Sequence, residues 1–140
     1  MDFTFIPGQY SDRQAALRAF SQAVKAAVQH DASRTFNPVQ LVLMLLELAK
    51  NTFDHSTGIG ILHLQLPSPG NPLCVRYLDT GDAFDWEACS AFGHSGKAGN
   101  GVNYGLGLGI VKQGCHYGGL DLTVERRDEG TEFRFSGPAT

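Results

Sequence analysis

Asn37 to Ser56 reads NPVQLVLMLLELAKNTFDHS, and the reading of this stretch decides the fold. Asn37 suits the N-cap of a helix, and Pro38 suits the first helical position, where its missing N–H costs nothing. The residues that follow are apolar around most of the helical circumference, the pattern of a helix buried at the centre of a small domain. Glu47, Asn51 and His55 interrupt that pattern at four-residue spacing and so share one face, with Asp54 beside them. Lys50 marks a separate, exposed side. An unpaired carboxylate among Leu, Val and Met would cost several kcal/mol, so this polar stripe finds core partners or looks into a cleft; the alternative, a solvated edge of an amphipathic helix, is disfavoured by the narrowness of the polar face.

Upstream, FTFI at residues 3–6 predicts a short strand. Ser11 and Gln14 have the form of a capping box, and Leu17, Phe20, Val24 and Val28 recur at helical spacing, giving an amphipathic helix to about Asp31. Downstream, Gly58 and Gly60 end the central helix. Two strands follow, IGILHLQL and LCVRYLD, joined by a turn from Pro67 to Pro72. Residues 83–104 form a long Gly/Ser/Asn-containing segment with little periodicity, the mark of a lid or of disorder. A helix from about Gly107 to Tyr117, stopped by Gly118 and Gly119, precedes a hairpin of LDLTVER and TEFRFS around RDEG. This order predicts an α/β (α+β) two-layer sandwich: a mixed, mostly antiparallel sheet with helices on one face, as a single domain over residues 1–140.

Two further segments carry chemistry. Asp79 directly ends an apolar strand, and Thr80-Gly81 turns the chain abruptly, so its carboxylate can accept a charge-assisted hydrogen bond from a ligand amino group at a pocket floor. In YGLGLGIVKQ, Gly105, Gly107 and Gly109 alternate just before a helix, at a cost of about 1 kcal/mol for each glycine that becomes helical. Glycines at a loop-to-helix junction admit close approach of a ligand, and the first helical N–H groups lack partners, which together make an anion site suited to phosphates. AFGHSGKAG imitates a phosphate-binding P-loop, but Ala91 replaces its first glycine and Ala98 the magnesium-holding hydroxyl residue, so Lys97 is assigned to the lid, where it could meet a terminal phosphate.

The totals exclude other classes. Eleven basic against 14 acidic residues give a net charge of −3 with no basic block, so nucleic-acid binding has no electrostatic footprint. No apolar run is long enough to span a membrane, and MDFTFIPGQY lacks the layout of a secretory signal. Cys74, Cys89 and Cys115 lack metal-type spacing and read as buried, reduced thiols of a cytoplasmic protein.

Taken together, four segments in order resemble the motifs of the GHKL (histidine kinase-like) ATPase superfamily over residues 37–136. ELAKNTFDHS resembles its N box, DTGDAFD its G1 box, GLGLGIV its G2 box, and GTEFRF its closing strand. The family's Bergerat fold agrees with the predicted sandwich. The resemblance implies ATP and Mg²⁺ as ligands, with Asn51 coordinating the ion and Glu47 acting as general base or polarising carboxylate. It implies that Asp79 accepts from the adenine amino group, with Gly81 admitting the base and Thr131 touching it through its hydroxyl or a water. The run Gly105, Leu106, Gly107, Leu108 and Gly109 would wrap the phosphates with its backbone amides. Ala83 stands where the G1 box usually has a second glycine, a form similar to the D-x-G-x-x-F-D of anti-sigma-factor kinases. NTFDH is likewise similar to their N box, and none of the five histidines has the H-E/D-x-x-R context of a phosphoacceptor. The resemblance therefore implies a stand-alone serine/threonine kinase whose partner is an antagonist protein or a sigma factor, with a homodimer as a candidate assembly. The alternatives are a histidine-kinase catalytic module acting in trans and a nucleotide-gated binding protein without phosphoryl transfer.

Overall fold

Helix α1 (Arg13–Val28) and helix α2 (Pro38–His55) form the first half of the helical layer in the computed structural model, which describes residues 1–81, 97–98, 102–103 and 105–137, with backbone alone for 97–98, 102–103 and 105–108. Asn37 caps α2 as its sequence dictates, its side chain accepting the Gln40 N–H at 3.2 Å, and Pro38 occupies the first turn. The capping-box expectation for α1 is corrected by one residue. Asp12, not Ser11, is the N-cap and accepts the Ala15 N–H at 2.7 Å. A carboxylate facing the positive end of the helix dipole is at least as good a cap as a hydroxyl. Ala16, rather than the half-buried Leu17, joins Phe20, Val24 and Val28 on the buried face, and α1 ends at Val28, short of Asp31.

The remaining elements are β1 (Asp2–Phe5), a single 3-10 turn (Pro7–Gln9), β2 (Gly60–Gln65), β3 (Cys74–Asp79), the two-residue strands β4 (Lys97–Ala98) and β5 (Val102–Asn103), α3 (Gly105–Gly118), β6 (Asp121–Arg127) and β7 (Gly130–Ser136). Five of the strands form one sheet in the order β1-β2-β3-β7-β6, and every neighbouring pair in it is antiparallel. The sheet of the expected two-layer sandwich is thus antiparallel throughout, where a mixed, mostly antiparallel one was expected. The paired β4 and β5 lie inside the segment read as a lid, most of which falls outside the described residues.

Strand alternation places the core. Leu62, Leu64, Val75, Tyr77, Phe133 and Phe135 point to the helices and are buried, while His63, Arg76 and Arg134 take the opposite face. Phe20 of α1 meets the sheet through edge-to-face contacts with Phe5 and Tyr77, at centroid distances of 5.4 and 6.2 Å. Helix α3 packs on α2 through Gly114 and Cys115. A β-carbon at Gly114 would meet Met44 Sδ at 2.5 Å, and the Cys115 thiol lies 3.9 Å from the same sulfur. Burial pushes that thiol up to about 12. Cys74 is only half-buried, against the expectation of burial, because it sits on the helix-free face of β3, and Cys89 lies outside the described residues.

Candidate functional site

Asp79 is the last residue of β3 and pairs with Thr131 near the start of β7. Its side chain faces the C-terminal end of α2 and is 93% buried, being only 7% exposed. Three donors hold the carboxylate. Oδ1 accepts from Ser56 Oγ at 2.6 Å and from the Gly81 N–H at 2.8 Å, and Oδ2 accepts from Thr52 Oγ1 at 2.9 Å. Thr52 Oγ1 also lies 2.6 Å from the Tyr77 hydroxyl and 3.2 Å from the Leu48 carbonyl. Burial pushes the Tyr77 phenol far above its ordinary range, so it stays protonated.

Glycines make this arrangement fit. A β-carbon at Gly81 would overlap Ser56 Oγ, and one at Gly60 would overlap the Tyr77 hydroxyl. Gly81 therefore serves the carboxylate's own hydrogen bonds, whatever else approaches it. Beside Asp79, Thr131 Oγ1 is buried with no hydrogen-bond partner among the described residues. Such an orphaned group costs about 1–3 kcal/mol unless something else satisfies it.

On α2, Asn51 Nδ2 is likewise buried and unpartnered among the described residues. Glu47 accepts from Lys50 Nζ at 3.0 Å, so Lys50, expected on a separate exposed side, turns back onto the stripe. Asp54 leaves the stripe to form a two-pronged pair with Arg13 of α1 at 2.8 and 3.0 Å. This ties α1 to α2 near the site. His55 is half-buried, and burial lowers its imidazole below the ordinary value, with Asp54 opposing and Arg13 adding to that shift.

The glycine run belongs to helix rather than to a preceding loop, since α3 starts at Gly105 and not near Gly107. The poor helical propensity of glycine set the later expectation, and the helix nevertheless runs through these residues. Topology fixes where this helix begins. It ends just before Asp121, which pairs with Ser136 at the end of the sheet opposite Asp79. Its C-terminal half touches Gln40 and Met44 of α2, whose own C-terminal end meets Asp79. Helices α2 and α3 are therefore antiparallel. At 1.5 Å per residue, Gly105 lies about 13.5 Å along the axis from Gly114, and Asn51 about 10.5 Å from Met44. The first N–H groups of α3 thus stand level with Asn51, at the same end as Asp79 and Thr131.

Of the expected site residues, Asn51, Asp79, Gly81, Thr131 and the backbone of Gly105 to Gly109 lie towards this end, and Glu47 sits at the middle of α2, about one turn before Asn51. The Lys97 side chain lies outside the described residues, although its backbone belongs to β4. Sequence reasoning missed Thr52, Ser56 and Tyr77. The signal for Thr52 was a lone hydroxyl on the stripe of Leu41, Leu45 and Leu48, all buried.

The comparisons agree with this fold. Residues 36–140 match the family of histidine kinase-, DNA gyrase B-, and HSP90-like ATPases. The chain belongs to that family, and its ATPase domain is an ATP-utilising one. Solved structures with a similar fold include the Mycobacterial sensor histidine kinase MprB, at 23% identity and a TM-score of 0.57 over 74% of this chain and 72% of that one. The Erythrobacter litoralis EL346 blue-light activated histidine kinase is 20% identical with a TM-score of 0.55, over 89% of this chain and 41% of that one. Its histidine kinase domain is 22% identical with a TM-score of 0.52, over 88% of this chain and 61% of that one. The chain thus spans less than two thirds of both Erythrobacter chains. No curated protein matches it. Among the described residues, no helix is long and apolar enough to cross a membrane.

Proposed function

We propose that this single domain is a Mg²⁺-dependent protein kinase of the serine/threonine, anti-sigma-factor type. In this reading it transfers the terminal phosphoryl group of ATP to a hydroxyl of a small antagonist protein, in the cytoplasm. The observation that carries the nucleotide reading is the pairing of a buried, three-times hydrogen-bonded Asp79 with an orphaned Thr131 hydroxyl beside it. An adenine amino group on Asp79, and a ring nitrogen or water on Thr131, would satisfy both.

The residues also fit a magnesium–triphosphate. Asn51 offers a carboxamide oxygen, a suitable ligand for a hard cation, and its buried Nδ2 is unsatisfied by the described residues. No cluster of three or more His, Cys, Asp or Glu among the described residues could hold a metal ion. Magnesium is commonly held by one or two protein ligands together with substrate phosphates. The ion would offset charge on the phosphates. The α3 amides from Gly105 to Gly109 would bind phosphate oxygens at the positive end of the helix dipole. Glu47, oriented by Lys50 through Oε1, would take the proton of the incoming hydroxyl with Oε2. Lys97 would meet the terminal phosphate from the lid.

The serine/threonine assignment rests on the forms NTFDH and DTGDAFD. The test is incubation of the pure protein with γ-labelled ATP and candidate antagonist proteins. Acid-stable label on a partner is expected. Acid-labile label would instead identify a histidine-kinase module, and ATP binding without transfer would identify a nucleotide-gated binding protein.

A further inference from the structure

We infer that Thr52 and Tyr77 are positioning residues for the nucleobase: a hydroxyl relay running Tyr77 to Thr52 to Asp79 holds the carboxylate so that a single lobe of Oδ2 is left to receive an amino group. The inference rests on the adenine-site reading above and adds to it the residues that set selectivity for a 6-amino purine.

The direction of the relay follows from counting protons. Tyr77 is 0% exposed and protonated, and its hydroxyl has one partner among the described residues, Thr52 Oγ1 at 2.6 Å. Tyr77 therefore donates and Thr52 accepts. The one proton on Thr52 is then free for either Asp79 Oδ2 at 2.9 Å or the Leu48 carbonyl at 3.2 Å. The carboxylate is closer, and hydrogen bonds to ionised acceptors are roughly twice as strong as neutral ones, so the proton goes to Asp79. A carboxylate offers about four lone-pair sites. Ser56 and Gly81 fill both on Oδ1, and Thr52 fills one on Oδ2. The described residues leave one acceptor lobe. It matches an exocyclic amino group and opposes a carbonyl oxygen, which has no proton to give.

Two observations show that the relay is specific to this arrangement. Thr52 lies fully buried on an apolar helix stripe, where valine would fill the same volume without a polar atom to satisfy. Gly60 has no room for a β-carbon because the Tyr77 hydroxyl occupies that space.

The test compares ATP with purine riboside 5′-triphosphate, which lacks the 6-amino group, on wild type, Thr52→Val, Thr52→Ser and Tyr77→Phe. Both ligands are titrated into each variant, so any loss of folded fraction cancels in the ratio of their affinities. Wild type should prefer ATP by about 10-fold or more, as for a hydrogen bond to a charged group. Thr52→Val should reduce that preference to about threefold or less while leaving the affinity for the deamino ligand within about twofold. Thr52→Ser should restore the preference, and Tyr77→Phe should reduce it in part. If Thr52→Val and Tyr77→Phe both keep the wild-type ratio, the relay inference is overturned while the adenine site stands. If Thr52→Val does not fold, Tyr77→Phe alone decides. A wild-type ratio near one would overturn the adenine reading itself, and the relay with it.

Discussion

Asp79→Asn separates what the Asp79 side chain does for the fold from what it does for the ligand. An asparagine can place its carbonyl where Oδ1 stands, keeping the bonds from Ser56 Oγ and the Gly81 N–H. Its Nδ2 then faces Thr52 Oγ1, which can accept that proton as well as the one from Tyr77 and send its own to the Leu48 carbonyl. Every group bonded to the carboxylate stays satisfied, and the second Nδ2 N–H faces the pocket. The apo protein should therefore lose only about 1–2 kcal/mol, the charge assistance of the Oδ1 bonds, partly offset by the easier burial of a neutral amide. The ligand meets the opposite situation, because the free lobe now carries an N–H that points at the adenine amino group. Losing a hydrogen bond to a charged group should weaken ATP by about 10- to 150-fold. ATP at about 100 times the wild-type Kd stabilises the native protein by about 2.7 kcal/mol, and in the variant that gain should fall to between about 0.3 and 1.4 kcal/mol. Thermal unfolding with and without nucleotide reads both quantities. Inosine triphosphate, with a carbonyl at position 6, should gain on ATP in the variant. An unchanged ATP stabilisation would refute the adenine assignment. An apo loss above about 4 kcal/mol would refute the proton accounting.

Thr131→Val should not lower apo stability and should raise it by up to about 1–3 kcal/mol in thermal unfolding, because the buried hydroxyl has no partner among the described residues, while ATP affinity falls by roughly 2- to 13-fold in calorimetric titration. Asn51→Ala should remove the magnesium dependence of ATP binding, and titration with and without Mg²⁺ would contradict the assignment if the dependence survived. Gly60→Ala should cost about 1–3 kcal/mol in urea unfolding, and Tyr77→Phe in that background should recover part of the loss by vacating the contested space. Burial holds the His55 imidazole below its ordinary value, so just beneath that value the unfolded chain binds more protons than the folded one. Stability should therefore rise with pH towards about 6.5, and His55→Gln should flatten that slope in unfolding measured from pH 5 to 7; an unchanged slope would contradict it.

The elements were legible where local chemistry decides them. Asn37-Pro38 opens α2, alternation marks β2 and β3, RDEG brackets the last hairpin, and Gly119 stops α3 at a φ of +69°. They were less legible where two local signals compete, as at Ser11 and Asp12, both good caps, or where a helix runs on through residues of poor propensity, as at Gly105. Asp79 could be singled out because it closes an apolar strand. The hydroxyls around it could not, because Thr52, Ser56 and Tyr77 meet it only after a helix and a strand have been laid side by side. The Arg13–Asp54 pair escaped for the same reason, joining the start of one helix to the end of another. Spacing shows which residues share a face, but not which of them a neighbouring element will claim, as Arg13 of α1 claims Asp54 of α2.

Gly130 adopts a φ of +145°, and a β-carbon there would overlap the carbonyl oxygen of Asp79. The turn of the terminal hairpin and the tip of β3 thus touch through main chain alone, with no side chain between them to act as a cushion. Repacking cannot absorb a shift at that contact. A tilt of the hairpin is handed on stiffly to the carboxylate, so the β6–β7 hairpin works as a lever on the central strand.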